Sequence, residues 1–515
     1  MIMKRFAAFL AILLLAGRAA ALTIDVYHTS DVHGWYSARP ALWDKENSTR
    51  TIGGFAALAE LAHNDPNPHI LLDSGDMWQG TPEGILTKGL ASIALMNQLG
   101  YAAAVPGNHD YDYGEPPLLA MVSSAAFPML GANVYYKGTD SNTAYLKPYT
   151  IINKAGKKIA VLGFMNKHTS TLTFPPYVRH LEFRDEAAEA AKWMPEIRAL
   201  KPDAVIIIAH EGLSDDYSTK RLDVSSLTFT DPGWGALHLA RAASADLVLG
   251  GHNHAAFTKG YRDPVSGTWF GESGYGLSYV TRAALNFNDK TGKLSGITVE
   301  NLPLWIDATG EDPAVLKTVA GFNADVERAM GRVIGEAAGD LSFSPEGLDS
   351  PIGNWGCDVT REVTGAQLAF QNTKGIRAEI KAGQVRLRDV YQAVPFDNTI
   401  VTMRLTGAQL KRMLAENIWN GRSLMQVSGL EVEFKPSAGH PSELRLLREG
   451  REIGPEEEFS VATNSYLAGG GDGGSVFSEG RDIRDTTLQV RDTLIKAFAA
   501  GPVAAPAAGR IKRLK

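Results

Sequence analysis

The sequence contains very little cysteine. Cys357 is the only cysteine among the 515 residues. A disulfide within the chain is therefore excluded, and so is a metal site built from several thiolates. We expect Cys357 to be a buried structural thiol.

Long apolar runs are scarce as well. The only pronounced run, residues 6–16, follows Lys4 and Arg5 and precedes small residues that end at Ala21. This pattern is typical of a secretory signal peptide over residues 1–21 rather than of a core helix, and the run is too short to span a bilayer. We expect a mature protein that is periplasmic or secreted and has no membrane attachment.

The chain has no excess of positive charge. Its formal net charge is -6, which argues against a nucleic-acid polymer as partner but leaves room for a small anion. Its length and its 44% hydrophobic content indicate a soluble protein with two or more domains. Residues 501–515 are rich in Ala and Pro and then basic, so we expect a solvated tail.

Residues 22–305 repeat one pattern, in which an apolar β-branched run leads into a polar or glycine-rich turn and then a helical stretch. Examples are "HILL" before "DSGDMWQG" and "AVIIIA" before "HEG". Strands that alternate with helices predict an α/β layer sandwich. In such sheets the residues just past the carboxyl ends of the strands meet in one crevice.

Side chains that bind metals follow these strands. They are Asp31, His33, Asp76, Asn108, His210, His252 and His254. Imidazole, carboxylate and amide ligands without sulfur favour Zn, Mn, Fe or Co over Ca or Mg. Two aspartates cannot neutralise two dications, so such a site would keep positive charge for hydroxide and for an anion such as phosphate.

The motifs "DVHG", "GDMWQGT", "GNHDYDYG", "AHEG" and "GGHNH" resemble, in this order, those of the calcineurin-like metallophosphoesterases. More specifically, they resemble the secreted bacterial 5'-nucleotidase/UDP-sugar hydrolase family, and "QNTKGIR", "PFDN" and "NSYLAGGGDG" are similar to its C-terminal domain. The resemblance implies an α/β fold with a four-layer α/β/β/α metallophosphoesterase sandwich over residues 22–305. It also implies a linker helix over 306–335 and an α/β substrate-binding domain over 336–500, which rotates about that helix.

The resemblance also implies two divalent metal ions, with Zn or Mn favoured and Co or Fe as alternatives. One ion would be held by Asp31, His33 and His254, the other by Asn108, His210 and His252, and Asp76 would bridge them. Such a pair lowers the pKa of a shared water toward about 7, and hydroxide then attacks phosphorus in line.

His109 and Asp112 resemble the catalytic pair of the family. The imidazolium would stabilise charge on the phosphoryl oxygens or the leaving group, while Asp112 fixes its tautomer and raises its pKa. The alternative is a turn in which Asp112 caps backbone N–H groups. The adjacent position of Asn108 favours catalysis. Asp110 is interpreted as a supporting or a turn residue, and His28 as a core or a supporting residue.

Residues of the C-terminal segments are similar to the substrate-binding residues of the family. They are Asn372, Arg377, Phe396, Asn398, Tyr466 and Asp472. The two aromatic rings would sandwich a nucleobase, Asn398 and Asp472 would bind base or ribose, and Asn372 and Arg377 would bind ribose and phosphate. The alternative is that the two aromatics are rim or core residues.

The chain also departs from the family pattern. The stretch "SPEGLDSPIGN" lacks the arginine that relatives place there, and Lys374 is a candidate to replace its charge. Asp397 stands where the family has glycine and adds negative charge beside the expected base site. We therefore predict weaker or different recognition of a terminal phosphate.

The leading hypothesis is a phosphohydrolase of 5'-nucleoside monophosphates, with UDP-sugars or 2',3'-cyclic nucleotides as further candidate substrates. A related dimanganese hydrolase of the thiosulfate-pathway type, acting on a non-nucleotide anion, is a second hypothesis. A non-catalytic nucleotide-binding protein is a third, although every expected metal ligand and His109 are present. The sequence does not indicate an oligomeric state.

Overall fold

The computed structural model describes residues 22–213, 221–344 and 347–514. The signal peptide predicted over residues 1–21 lies outside these ranges. An N-terminal part with two large sheets is joined to a C-terminal part with its own sheet by the helix Pro313–Met330.

The two N-terminal sheets are mixed, with the parallel strands on one side of the first sheet and at the centre of the second. In spatial order the first sheet consists of Leu294–Pro303, Tyr279–Phe287, Leu22–Thr29, His69–Asp73 and Tyr101–Ala104. The second consists of Tyr261–Arg262, Trp269–Glu272, Leu247–Gly250, Ala204–His210, Lys157–Met165 and Tyr149–Lys154. Leu22–Thr29 pairs in parallel with His69–Asp73, and Ala204–His210 pairs in parallel with both of its neighbours.

Alternation along the strands builds the layers. In the strand Ala204–His210, Ile206 and Ile208 belong to the core between the two sheets, whereas Val205 and Ile207 belong to a second core on the outer face. Because successive side chains of a strand point to opposite faces, a run that is apolar throughout is expected for a strand covered on both sides.

Helices cover the outer faces of both sheets. The cluster beside the first sheet takes in Phe55–His63, Leu90–Leu99 and Glu115–Ser124. The cluster beside the second takes in Glu186–Ala199 and Gly235–Ala243. The predicted α/β/β/α order of layers is confirmed.

The connecting helix is shorter than the predicted span of 306–335. A short helix, Ile306–Thr309, ends at Gly310, whose φ of 79° leaves the helical conformation. The long helix then starts at Pro313, where the carboxylate of Asp312 accepts hydrogen bonds from the first turn. Its Val315 and Val319 pack into the N-terminal core.

The C-terminal part is an α/β domain. Its main sheet consists, in spatial order, of Met425–Ser428, Leu368–Asn372, Glu458–Asn464, Thr399–Thr406 and Arg481–Gln489. Pro351–Thr364 and Val490–Ala500 contribute to the core on one face, and Gly407–Asn417 to the core on the other. Cys357 is buried, as predicted.

Shorter elements complete the fold. The strands are Arg39–Pro40, Thr51–Ile52, Val134–Tyr136, Leu181–Phe183, Arg221–Leu222, Ala256–Phe257, Val333–Ala337, Gly383–Arg386, Ile418–Trp419 and Arg422–Ser423. The helices are Pro82–Thr87, Thr169–Leu172, Pro175–Val178, Leu387–Ala393 and Ser465–Ala468. Within the described ranges, no helix combines the length and the apolar character that crossing a bilayer requires.

The C-terminal end corrects a prediction, because the residues before the terminus are not a solvated tail. Ile511–Arg513 pairs in parallel with Glu431–Lys435, in a small sheet that also contains Glu443–Arg448 and Arg451–Glu452. Ile511 is 1% exposed, and Arg510 forms an ion pair of 2.6 Å with Asp358. Ile511 is an apolar residue within the basic stretch, and its burial in the core explains why this segment packs against the domain.

This arrangement predicts that Ile511 stabilises the C-terminal domain. Ile511→Ala should lower its free energy of unfolding by about 2 kcal/mol or more, because it leaves a cavity in a packed core. Lys512→Ala, the matched control, removes a surface ion pair with Glu431 and should cost at most about 1 kcal/mol. Urea unfolding followed by circular dichroism would measure both, and equal small effects would contradict the docked strand.

Candidate active site

The predicted metal ligands come from loops at the carboxyl ends of the parallel strands. Asp31 and His33 follow the strand Leu22–Thr29, Asp76 follows His69–Asp73 and Asn108 follows Tyr101–Ala104. From the second sheet, His210 ends Ala204–His210, and His252 and His254 follow Leu247–Gly250. The structure brings all seven side chains together where the carboxyl ends of the parallel strands of both sheets lie side by side.

One group contains Asp31, His33 and His254. The Nε2 atoms of His33 and His254 are 3.2 Å apart, and Nε2 of His254 is 3.6 Å from Oδ1 of Asp31. The ligand atoms of the three residues lie within 4.8 Å of one another, so a single ion could contact all of them.

The second group surrounds Asn108. Its Oδ1 lies 3.1 Å from Nε2 of His210 and 3.0 Å from Nδ1 of His252. Oδ2 of Asp76 lies 3.2 Å from Nε2 of His210 and 3.6 Å from Nε2 of His33. Asp76 therefore lies between the two groups.

Hydrogen bonds orient two of the histidines toward the cluster. Nδ1 of His33 donates to the carbonyl of Gln79 at 2.6 Å and Nδ1 of His210 donates to the carbonyl of Ser74 at 2.7 Å, so both Nε2 atoms face the cluster. Burial lowers the pKa of His33 to about 3. Burial also acts against a charge on His210, but Asp76 outweighs it and raises the pKa of His210 to about 10.

This donor set fits divalent metal ions. It is buried and rich in imidazole, it contains two carboxylates, and its ligand atoms converge. Asp76 stabilises a proton on His210, which shows that this position favours positive charge. A bound cation would displace that proton.

The ligand loops have an unusual backbone conformation. Asp31, His33, Asp76, His252 and His254 have φ values of 51°, 49°, 58°, 78° and 59°. This left-handed region is disfavoured for side-chain-bearing residues, at a cost of about 1 kcal/mol or more each. Such strain persists only where the surroundings fix it, which is characteristic of functional sites.

Asp110 holds two of these loops together. Its carboxylate accepts hydrogen bonds from the backbone N–H groups of Asp76, Met77 and Gly107 at 3.0, 3.1 and 2.7 Å. A Cβ at Gly107 would collide with the carboxylate of Asp76, so the close approach requires glycine. Of the two interpretations of Asp110 from the sequence, the supporting one fits the structure.

His28 also acts as a support. Its Nε2 lies 2.8 Å from Oγ of Ser74, and this hydroxyl donates to the carbonyl of Leu249. The imidazole therefore donates to Ser74, the residue whose carbonyl orients His210.

The predicted catalytic pair is formed. Nδ1 of His109 lies 2.7 Å from Oδ2 of Asp112, whose other oxygen accepts from Thr173 at 2.8 Å. Burial opposes a charge on His109, but the carboxylates of Asp112 and Asp76 outweigh it and raise the pKa of His109 above its ordinary value. Asp112 therefore binds a side chain, whereas the alternative interpretation from sequence had it capping backbone groups.

A narrow cavity lies between this cluster and the C-terminal domain. It is lined by His33, Gln79, Gly80, His109, Tyr275, Arg377, Pro395 and Phe396. The ring centroid of Phe396 is 5.6 Å from that of His109, and the guanidinium of Arg377 is 5.3 Å from the ring of Phe396. Two of the predicted substrate-binding residues therefore line the cavity together with the predicted catalytic histidine.

The other predicted substrate-binding residues lie outside the lining of this cavity. Nδ2 of Asn372 donates to Asp472 at 2.9 Å, so these two side chains hold each other. The hydroxyl of Tyr466 is 3.5 Å from the carbonyl of Thr171 in the N-terminal part. The side chain of Asn398 lies 3.4 Å from the hydroxyl of Ser465.

Sequence reasoning missed the contacts that position Phe396. The carbonyl of Pro395 accepts from Nε2 of Gln79 at 3.3 Å and from Nη1 of Arg491 at 2.8 Å. Arg491 also forms an ion pair with Asp397, so the charge expected to stand free beside the base site is neutralised. Arg491 lies 94 positions along the chain from Asp397, and no local pattern links the two.

Family models match both parts of the chain. The model described as calcineurin-like phosphoesterase matches residues 24–256, and the model described as 5'-nucleotidase, C-terminal domain, matches residues 333–479. The chain belongs to the 5'-nucleotidase family of calcineurin-like phosphoesterases. It is accordingly a metallophosphoesterase, a hydrolase.

Members of this family align along most of the chain. Protein UshA of Yersinia enterocolitica is 27% identical over 87% of this chain and 86% of its own length. A snake venom 5'-nucleotidase of Gloydius brevicauda is 28% identical over 88% of this chain and 82% of its own. These alignments span both the sandwich and the C-terminal domain.

Solved structures share the fold. The 5'-nucleotidase precursor from Thermus thermophilus superimposes with a TM-score of 0.80 at 24% identity, over 96% of this chain and all of that one. The sulfate thiohydrolase SoxB of the same organism superimposes with a TM-score of 0.73 at 17% identity, over 95% of this chain and 96% of that one. The fold alone therefore does not distinguish a phosphate substrate from a sulfur oxyanion.

The ligand geometry predicts that His254 binds one of two metal ions. His254→Ala should lower the bound divalent metal from about two ions to about one per chain, measured by mass spectrometry of the metals after gel filtration. His238→Ala is the matched control, because His238 pairs with Asp231 away from the cluster and should leave the content unchanged. Equal metal content in the two variants would show that His254 is not a ligand.

Proposed function

We propose that this protein hydrolyses phosphate from nucleotides, with 5'-nucleoside monophosphates as the main substrates. UDP-sugars and 2',3'-cyclic nucleotides are further candidate substrates. The observation that carries this proposal is the cavity that His33, a predicted metal ligand, and His109 line together with Arg377 and Phe396. Histidines that can bind or polarise a phosphoryl group therefore lie beside a guanidinium and an aromatic face.

Two divalent ions bound by the clustered side chains would supply positive charge for a phosphoryl group and lower the pKa of a water molecule. Asp112 fixes Nδ1 of His109, so Nε2 is free to give a proton or a hydrogen bond to the leaving oxygen. The planar fork of Arg377 suits a pair of phosphoryl oxygens. Phe396 offers a nucleobase a surface for stacking.

Several observations support the proposal. Relatives that align over both parts of the chain bear the name 5'-nucleotidase. The net charge of -6 is unsuited to a nucleic-acid polymer, so a small nucleotide is the expected partner. For the ions we propose Zn or Mn, with Co or Fe as alternatives, and for the location we propose the periplasm or the exterior because residues 1–21 have the pattern of a signal peptide.

The decisive test is phosphate release by protein that has been stripped of metal and reloaded with Mn or Zn. The substrates are AMP, UMP, UDP-glucose, 2',3'-cyclic AMP and an aryl phosphate. His109→Ala should reduce turnover of the preferred nucleotide by about 10² to 10⁴-fold while metal content is retained. His180→Ala, which alters a histidine paired with Glu115 at the surface, should leave turnover unchanged.

Failure to release phosphate from any nucleotide, by protein that holds both ions, would contradict the proposal. A non-nucleotide anion or a binding role would then become the leading hypothesis. Metal-dependent release from one nucleotide class would identify the substrate.

Phe396 should determine affinity for the base. Phe396→Ala is expected to raise the KM for AMP about tenfold, since stacking on one base is worth about 1 to 3 kcal/mol. The KM for glycerol phosphate, which has no ring, should stay the same, and Phe396→Tyr should restore AMP binding. A parallel rise in both KM values would mean that Phe396 shapes the phosphate site instead.

A further inference from the structure

Tyr275 lines the active-site cavity and lies against two of the candidate metal ligands. It belongs to the turn between the strands Trp269–Glu272 and Tyr279–Phe287. Its ring centroid is 4.6 Å from that of His254 and 5.2 Å from that of His33. The tyrosine therefore forms the wall of the cavity at the end where the metal ligands converge.

The hydroxyl of Tyr275 keeps its own proton available. Nε1 of Trp35 donates to this oxygen at 3.1 Å, which uses one of its acceptor positions. Within the described part of the chain, this is the only hydrogen bond that the Tyr275 side chain makes. The proton of the O–H group therefore has no acceptor among the described residues, and it remains available to a ligand.

Arg39 fixes the position of this hydroxyl through contacts with Trp35 and with the turn that carries Tyr275. The guanidinium of Arg39 lies 4.1 Å from the ring centroid of Trp35. The same guanidinium donates to the carbonyl of Gly276 at 2.6 Å and to Oγ of Ser278 at 2.9 Å. Arg39 therefore anchors both the indole and the turn that carries Tyr275, which holds a donor in place before a ligand arrives.

We propose that Tyr275 is a substrate-contact residue, whose hydroxyl donates a hydrogen bond to a phosphoryl oxygen beside Arg377. The inference rests on the proposed function, since it takes the phosphoryl group as the anion in the cavity. A neutral donor adds a directed contact to an anion without a further charge that would have to be desolvated. It also supplies a contact in a chain whose stretch "SPEGLDSPIGN" offers no arginine.

The test measures binding of inorganic phosphate to the metal-loaded protein by calorimetry, together with turnover of the preferred nucleotide. Tyr275→Phe keeps the ring against His254 and removes only the hydroxyl, so the dissociation constant for phosphate should rise about tenfold with metal content unchanged. Tyr149→Phe is the matched control, because that hydroxyl bonds Glu196 at the surface and should leave phosphate binding unchanged.

A second variant tests the role of the indole. Trp35→Phe removes the donor that orients the hydroxyl, and it should weaken phosphate binding about threefold in the wild type. In the Tyr275→Phe background the same change should have no further effect, because there is no hydroxyl left to orient. Equal losses in both backgrounds would show that Trp35 acts on the site independently of Tyr275 and would count against the inference.

The two proposals can fail separately. If the wild type releases no phosphate from nucleotides, the proposed function fails while the phosphate titration still tests Tyr275. If the wild type is active and Tyr275→Phe binds phosphate equally well, the inference is overturned and the tyrosine only packs against the histidines. Absence of phosphate binding by the loaded wild type would overturn it as well.

Discussion

The packing of the two N-terminal sheets against each other is the constraint on which the active site depends. Ile24, Ile70, Ile206 and Leu249 are among the side chains that fill the space between them. This core holds the carboxyl ends of the parallel strands in one sheet beside those in the other. A slip of one residue, about 3.3 Å along a strand, would be as large as the 3.0 to 3.6 Å that now separate ligand atoms contributed by different sheets.

The cluster that results is costly in the absence of a cation. Carboxylates and imidazoles are removed from water, and several of the residues that carry them have a left-handed backbone. The sheets, the bonds from Asp110 and the carbonyls of Gln79 and Ser74 keep the site organised against that cost. Metal affinity and the stability of the N-terminal domain are consequently linked.

Much of this site could be predicted from the sequence because its residues share one position in a repeated pattern. A residue that follows a parallel strand lies near the carboxyl end of the sheet, whatever the conformation of its loop. The sequence alone therefore predicts that Asp76 and His210 lie close together. Motif resemblance then grouped the ligands and indicated the pair His109 and Asp112.

The rest depended on partners that are remote in the chain and have no local signature. Ile511 becomes a buried strand residue only beside Glu431–Lys435, and Asp397 is neutralised only where the fold brings Arg491 to it. Tyr275 stands in a glycine-rich turn whose composition indicates a loop and no particular chemistry. The pattern of apolar and polar residues along the chain predicts the layers of the fold. Contacts between individual side chains that are remote in sequence can be identified only in the folded structure.

The division of the cavity between the two parts of the chain has an evolutionary consequence. His33 and His109 come from one stretch of sequence, whereas Arg377 and Phe396 come from another more than 200 residues downstream. Under the proposed function, substitutions that reshape the second stretch can alter which compound is accepted and leave the hydrolytic centre intact. A gene with this division of roles can diverge in substrate range through changes in its C-terminal half alone.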